Sequence, residues 1–375
     1  MVESCCVKPQ RRSRRSRRPP TDTPRARLTL DEVARATGVS RATVSNAYNR
    51  PDQLSADLRA RVLETARRLG YTGPDPAARA LVRGHTGVIG AVFSEPLDYA
   101  FEDPAAVLLL RGLAQECRET HTGLLLLPIE LDEAITEDAV RGAAVDGLIA
   151  YSLPDDASVL RVARGRGLPL VVIDQPRMRD AAFVGQDDRE CARLALEPLL
   201  ALGHRRIAAL GYRLHPERAG GPVDPRGLRR SRYHLSRERV AGYQDALKHH
   251  KTTADTLRIF QVAANTPEAG DGAARRLLTE PDRPTAILTD SDQLALGVLQ
   301  AARELDLTVP RQLSVVGTDD IPVAAHTTPP LTTVQQLFVD KGREAARLLI
   351  AGETAATTLL AVRLIERSST APPEP

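Results

Sequence analysis

The sequence predicts an α/β protein in which a small all-helical head precedes a larger core of two α/β lobes. Three observations carry this. Between Leu28 and Tyr71, apolar residues recur at helical spacing in three short, separately capped segments. From Gly87 onward, near-continuous apolar runs of strand length alternate with polar helical stretches, the pattern of a parallel sheet covered on both faces. The chain has 375 residues, and at roughly 100–200 residues per domain it has room for two or three. With about ten strands the core outgrows a single sheet, so it divides into two lobes.

Charge is uneven along these parts. The formal net charge is +3, yet residues 1–27 carry +7, residues 28–84 carry +3, and the remaining 291 carry −7. The first 27 residues, with the run RRSRRSRRPP and almost no apolar content, are expected to form a disordered basic arm. A cationic front on an acidic body points to a polyanion as the partner of the front.

The head begins with Thr29-Leu30-Asp31-Glu32, a capping-box pattern. The first helix then turns Leu30, Val33 and Ala34 inward, and Gly38 permits a tight turn with positive φ. Ser40 caps a second helix, Arg41 to Ala47, with Val44 and Ala47 inward. Ser55 caps a third, whose stripe is Leu58, Val62, Ala66 and Leu69 before Gly70 ends it. Three short helices around a small core form the scaffold of a helix-turn-helix, which lays its second helix in the major groove of DNA. The outward face of that helix offers Arg41, Ala42, Thr43, Ser45 and Asn46. Arg pairs bidentately with guanine, Asn with adenine, and Ala meets a thymine methyl. Ser40, Thr43, Ser45 and Asn49 suit phosphate contacts, which position the helix without reading sequence. Thr29 joins this DNA-facing set at the start of the first helix. The other reading of the same residues is a solvated polar face on a small helical domain.

After Pro74-Asp75-Pro76 and a short Ala-rich segment the core begins. Its expected strands are VIGAVF (88–93), LLLLP (124–128), GLIAY (147–151), PLVVID (169–174), RIAALGY (206–212), TAILTD (285–290) and LSVVGTDD (313–320). Residues 213–236 read as a long Pro/Gly/Arg loop without structure, which is a lid, a partner surface or disordered. In an open α/β sheet, ligands bind beyond the carboxyl ends of the strands. Ser94, Asp174 and Asp292 fall there, and Arg239 opens a helix beside them. Acids and an Arg around one cleft make paired hydrogen bonds to sugar hydroxyls, or the Arg holds an anionic group. Each also has an ordinary reading, Asp292 as the cap of DQLALGVLQ and Arg239 as a solvated side chain.

Several classes are excluded. No apolar run approaches the ~18 residues of a membrane span, and no apolar stretch follows the basic N-terminus as a secretory signal requires. Cys5, Cys6, Cys117 and Cys191 make neither a disulfide framework nor a CxxC metal site. A cytoplasmic protein without metal or cofactor is expected. Aromatics at 3% with no Trp argue against a stacking groove for single strands. There is no GxSxG, P-loop, HExxH or strand-following GxGxxG to support an enzyme. Asp290 and Asp292 lack a third metal ligand at useful spacing, and His204 reads as structural. A transport-type binding protein is the rival that the core allows, but it would need export.

The stretch LTLDEVARATGVSRATVSNAYN, followed by Ser55 and ARRLGY, closely resembles the DNA-binding head of the lactose/galactose-repressor (LacI/GalR) family. PLVVID, ALGHRRIA, RVAGY, DSDQLALG, SVVGTDD and PPLTTVQQ resemble that family's regulatory core, in order. The resemblance implies a helix-turn-helix head, a hinge helix and a core like the periplasmic sugar-binding proteins. It implies a transcriptional regulator, most often a repressor, whose partners are double-stranded operator DNA, a sugar-like effector between the lobes, and a second copy of the chain. A tetramer stays open, although the ending SSTAPPEP has no heptads and favours a dimer. The expected boundaries are an arm over 1–27, a head over 28–73, a hinge over 74–85, a core over 86–368 and a tail over 369–375.

By the same resemblance, the base readers fall on Arg41, Ala42 and Asn46. The hinge pattern falls on Pro74, Asp75, Ala78, Arg79 and Leu81, with Leu81 the minor-groove wedge. Asp75 stands where the family has Asn, and Gly73 adds a residue. Effector contacts fall on Asp174, Arg239 and Asp292, with Phe101 and Asn265 in the matching loops. Thr318 stands where an aromatic is common, which is expected to loosen packing near the cleft.

Overall fold

The computed structural model describes residues 28–74, 80, 84–129, 133–214, 220–253 and 256–374. The basic arm and the hinge residues Asp75, Ala78, Arg79 and Leu81 lie outside the described residues. The chain divides into two units, Met1–Arg83 and Gly84–Pro375.

In the first unit, α1 (Leu30–Thr37), α2 (Arg41–Asn49) and α3 (Ala56–Leu69) pack around Val33, Val44, Ala47, Val62 and Ala66, all fully buried or nearly so. The helix ends are set locally. The Glu32 carboxylate accepts the Thr29 N–H (2.7 Å) and hydroxyl (2.9 Å), and these bonds hold its pKa below the usual range. Ser40 Oγ accepts the Thr43 N–H (3.0 Å), and Gly38 and Gly70 close α1 and α3 with φ of 74° and 78°. One expectation needs correction: Leu69 is not on the buried stripe but 37% exposed. Tyr71 closes that end of the core instead, edge-on to Tyr48.

The second unit holds two parallel sheets. In lobe one, β1 (Val88–Phe93), β2 (Gly123–Leu127), β3 (Leu148–Tyr151), β4 (Leu170–Ile173), β5 (Ala182–Gln186) and β12 (Thr357–Leu360) lie in the order β12-β5-β4-β3-β1-β2, all parallel. Helices α4 (Leu97–Glu102), α5 (Pro104–Glu119), α6 (Glu133–Gly142), α7 (Ser158–Gly165) and α12 (Phe338–Ala351) cover it. In lobe two, β6 (Ile207–Tyr212), β7 (Gly221–Val223), β8 (Leu257–Val262), β9 (Ala286–Thr289), β10 (Ser314–Asp319), β11 (Thr332–Gln335) and β13 (Arg363–Ile365) lie in the order β13-β11-β10-β9-β6-β8-β7. Only the edge strands β13 and β7 run antiparallel to their neighbours. Helices α8 (Asp188–Ala201), α9 (His234–His249), α10 (Pro267–Leu278) and α11 (Asp292–Glu304) complete it. Each sheet carries an apolar core on both faces. That is why its central strands are apolar throughout rather than alternating.

The chain crosses between the lobes three times: from β5 into α8, from β11 into α12, and from β12 into β13. Residues 213–236 are more structured than a bare loop. Their described part pairs β7 with the edge of β8 and adds a 3₁₀ turn over Gly227–Arg230. Ser369, expected in a tail, is fully buried and bonded to Val315 and Thr332.

Candidate DNA-facing helix and interlobe cleft

In the head, α2 turns Val44 and Ala47 inward, which forces the residues between them outward at 3.6 per turn. Arg41 and Ala42 are exposed, and Thr43, Ser45, Asn46 and Asn49 are half-buried along one side. The face is lightly self-engaged. Asn46 Nδ2 donates to Gln53 (3.2 Å), Asn49 Nδ2 to Ser45 Oγ (3.2 Å), and Arg41 approaches Asp31 only at 3.8 Å. The contacts of Arg41 and Asn46 are weak and exposed, and so easily exchanged for DNA.

In the core, the residues just past the strands form one surface. Ser94 follows β1, Ser152 follows β3, Asp174 follows β4, Arg213 follows β6, Asp290 follows β9 and Asp320 follows β10. Eight non-glycine residues among those described have left-handed φ, and five of them sit here: Ser152, Asp174, Arg213, Asp319 and Asp320. Such backbone conformations cost about 1–3 kcal/mol each and concentrate at ligand sites.

Ser94, Tyr99, Asp103, Tyr151 and Ser152 of lobe one face Tyr212 and Arg213 of lobe two across a small cavity. The lobes are bonded to each other over it. Arg213 forms a buried ion pair with Glu95, and the Tyr99 hydroxyl donates to the Asn265 carbonyl (2.8 Å). Burial pushes the Asp103 carboxyl up to about 6 although its oxygen accepts the Ala105 N–H.

Beneath this wall the expected site residues divide. Ser94 lines the cavity. Asp174 is buried and accepts from the Lys341 ammonium at 2.7 Å, and Lys341 donates also to Gln336 Oε1 at 2.9 Å. Gln336 in turn donates to Asp319 Oδ1 (2.8 Å), so the chain of bonds runs from lobe one through a crossover into lobe two. Arg239 is buried, not solvated. Its Nη1 donates to the Asp290 carbonyl (2.8 Å) and lies 3.3 Å from the Asp290 carboxylate, while its Nε is buried without a partner. Asn265 is buried against Ser291 Oγ. Asp292 does not cap its helix, since Ser291 does that. It accepts instead from the Ile321 N–H (2.9 Å) and Thr333 hydroxyl (2.6 Å), and burial raises its carboxyl to about 7. Phe101 stands apart on α4, 61% exposed. Thr318 does not loosen the packing: it is buried and donates to the Thr289 carbonyl at 2.8 Å. His204 is structural, bonded to Thr285 (2.8 Å), Ser314 (3.1 Å) and the Ala371 carbonyl (2.9 Å).

Sequence reasoning missed Tyr99, Asp103, Tyr151, Tyr212, Arg213, Asp319 and Lys341. Tyr151, Tyr212 and Asp319 carried a usable signal, the last positions of apolar strands. Lys341 lies within an ordinary amphipathic helix, where nothing marks it. Among the described residues, Glu197, His249 and His250 could converge on a metal ion. They lie where α9 leads back towards β8, and Glu197 is already paired with Arg193 at 2.5 Å.

Comparison with known proteins adds the following. Residues 29–73 match the family described as bacterial regulatory proteins, lacI family, and residues 196–370 match a periplasmic binding protein-like domain. An HTH-type transcriptional regulator of Mycobacterium tuberculosis is 42% identical over 331 residues, 88% of this chain and 92% of that protein. The fold superposes on the lac repressor dimer bound to operator and an anti-inducer (TM-score 0.74, 25% identity, 92% of this chain and 100% of that one). It also superposes on a complex of the transcriptional regulator CelR with cellobiose (TM-score 0.66, 28% identity, 92% and 100% covered).

Proposed function

Because the chain belongs to the LacI family of bacterial transcriptional regulators, we propose that it is a sequence-specific DNA-binding repressor governed by a sugar-like effector held between its two lobes. It is a regulator and not an enzyme. The observation that carries the reading is the pairing, in one chain, of an outward polar α2 with two sheets whose carboxyl ends meet in a cleft. On DNA, Arg41, Ala42 and Asn46 read base edges, while Thr29, Ser40, Thr43, Ser45 and Asn49 hold phosphates. Leu81, outside the described residues, is the expected minor-groove wedge.

In the core, Ser94 contacts the effector from the cavity wall, and Asp174, Arg239, Asn265 and Asp292 frame its floor. The partnerless Arg239 Nε supports this role, because a buried donor without an acceptor is costly until a ligand supplies one. Phe101, exposed on the same helix as the cavity-lining Tyr99, is the remaining proposed contact. The active unit is a homodimer, matching the two-fold symmetry of paired operator half-sites. Effector binding acts by its differential affinity for two lobe arrangements.

The test is selection of bound sequences from a random DNA pool, repeated with a panel of sugars. Arg41→Ala should cost about 1–3 kcal/mol at one guanine per half-site and relax preference there. A loss equal on all sequences reassigns Arg41 to phosphate. Arg239→Lys keeps a cation beside Asp290 but removes the forked donor. It should abolish the response to effector and leave unliganded operator affinity unchanged. An undiminished response places the effector elsewhere.

A further inference from the structure

A second cavity of about 620 Å³ opens in the core, sharing no lining residue with the one between Ser94 and Arg213. Its walls come from both lobes: the segments after β3 and β4 and helix α7 on one side, the first turn of α9 on the other. Its size suits a small molecule.

The charge lining it is unbalanced. Arg161, Arg164, Arg177, Arg179 and Arg237 meet three acids, and each acid is already engaged. Asp180 binds Arg164 (2.7 Å), Asp155 binds Arg237 (2.8 Å), and Asp156 binds Arg232 (2.6 Å). Arg161 reaches Glu137 only at 3.9 Å. Among the described residues, no carboxylate pairs with Arg177 or Arg179. The Arg177 guanidinium lies over the Phe183 ring, its central carbon 3.4 Å from the ring centre. A guanidinium on a ring face keeps N–H groups for an acceptor. Helix α9, sixteen residues long, starts at His234 with no acid in its first turn, although the Gln175 side chain accepts its Leu235 N–H at 2.9 Å. The positive end of its dipole adds to the same excess.

We propose that this cavity is a second ligand site, for a phosphoryl group carried on a sugar- or polyol-sized molecule and held by Arg177, Arg179 and His234. Asp174, Asp187, Asp188 and Glu238 act on Arg177 from nearby, but none pairs with it, so its donors stay open to an anionic ligand. A dianion with three acceptor oxygens matches the planar guanidiniums of Arg177 and Arg179 on one lobe and the His234 ring on the other. Because both lobes contribute, such a ligand also ties them together and shifts the balance between lobe arrangements. The site does not depend on the effector cleft proposed above.

The test is calorimetric titration of the full chain with glucose 6-phosphate, inorganic phosphate and glucose at physiological chloride. Glucose 6-phosphate should bind, and the double variant Arg177→Gln/Arg179→Gln should weaken it roughly 100-fold through loss of two charge-assisted contacts. Both side chains are exposed, so an unchanged melting curve shows that the variant folds. Phosphate alone, binding more weakly at the same residues, also supports the site.

A second readout is pH. Burial, then Arg237 and Arg177, hold the His234 imidazole below its usual value, against the opposing pull of Glu238 and Asp155. A bound phosphoryl group favours the imidazolium but itself takes up a proton near about pH 6, so the affinity of the wild type relative to His234→Gln should grow as the pH falls towards that value. Glucose 6-phosphate binding equally well to the double variant overturns the proposal. So does the absence of binding by either phosphate compound.

Discussion

Lys341 is fully buried, and a buried ammonium persists only when acceptors surround it. It has Asp174 and Gln336, and its ammonium lies 4.8 Å from the centre of the Phe338 ring. Replacing it with Met leaves the Asp174 carboxylate buried and unpaired, which should cost about 3–5 kcal/mol. Adding Asp174→Asn should restore much of that, because the orphaned charge disappears. Urea unfolding of the two single variants and the double one measures the coupling. Costs that simply add would show that the two groups do not act as a pair. Nothing local in the sequence distinguishes Lys341 from a surface lysine, since its partner lies 167 positions away.

At the scale of elements, the helices beside each sheet touch backbone to backbone through glycine. A Cβ on Gly112 of α5 would lie 2.0 Å from the Val339 carbonyl oxygen of α12, and one on Gly297 of α11 would lie 1.9 Å from the Pro267 carbonyl oxygen of α10. Helix α10 supplies its own control. A Cβ at Gly270 would meet the Leu294 carbonyl at 2.3 Å, whereas at Gly272 it meets nothing within 4 Å. Two residues apart on one helix, the same substitution should therefore have opposite signs. Gly270→Ala must push two helices apart and should cost about 1–3 kcal/mol. Gly272→Ala gains helix propensity and should stabilise by about 0.5–1 kcal/mol. Thermal melting of both variants decides it, and equal effects would contradict the close approach. The sequence shows two glycines in a helical pattern and no reason to separate them.

For the whole molecule, the surface where the lobes meet holds carboxyls that burial has made reluctant to ionise. Asp188 is pushed up to about 6, Asp292 to about 7, and Asp319 well above its usual value, burial being the largest cause in each. An unfolded carboxyl titrates near about 4. Between that value and the folded ones, the native chain keeps protons that the unfolded chain has lost. Stability should therefore fall as the pH rises from about 4 through about 7. His204 and His234, drawn below their usual value by burial, oppose this in the lower part of the window. Asp292→Asn should flatten the upper part. Urea midpoints across this range provide the measurement, and a wild-type midpoint that climbs steadily to pH 7.5 would contradict the account.

The features legible in the sequence were those coded within a few residues of one another. Caps at Ser40 and Ser55, the turn at Gly38 and the inward spacing of Val44 and Ala47 are local, so the head and the outward face of α2 followed from them. The apolar runs with helical intervals likewise determined two parallel sheets whose strand ends face a common cleft. Six of the described strands were not among the expected runs. β5, β8 and β11 lie inside the sheets, and β7, β12 and β13 are short edge strands given their places only by the neighbours they add to. The fate of the buried charges was also decided by the tertiary structure alone. Whether Asp174, Arg239 and Asp292 are solvated, capping or locked in pairs depends on partners 167, 51 and 41 residues distant. A charge acquires its energy from what surrounds it in space, and that surrounding exists only once the chain has folded around it.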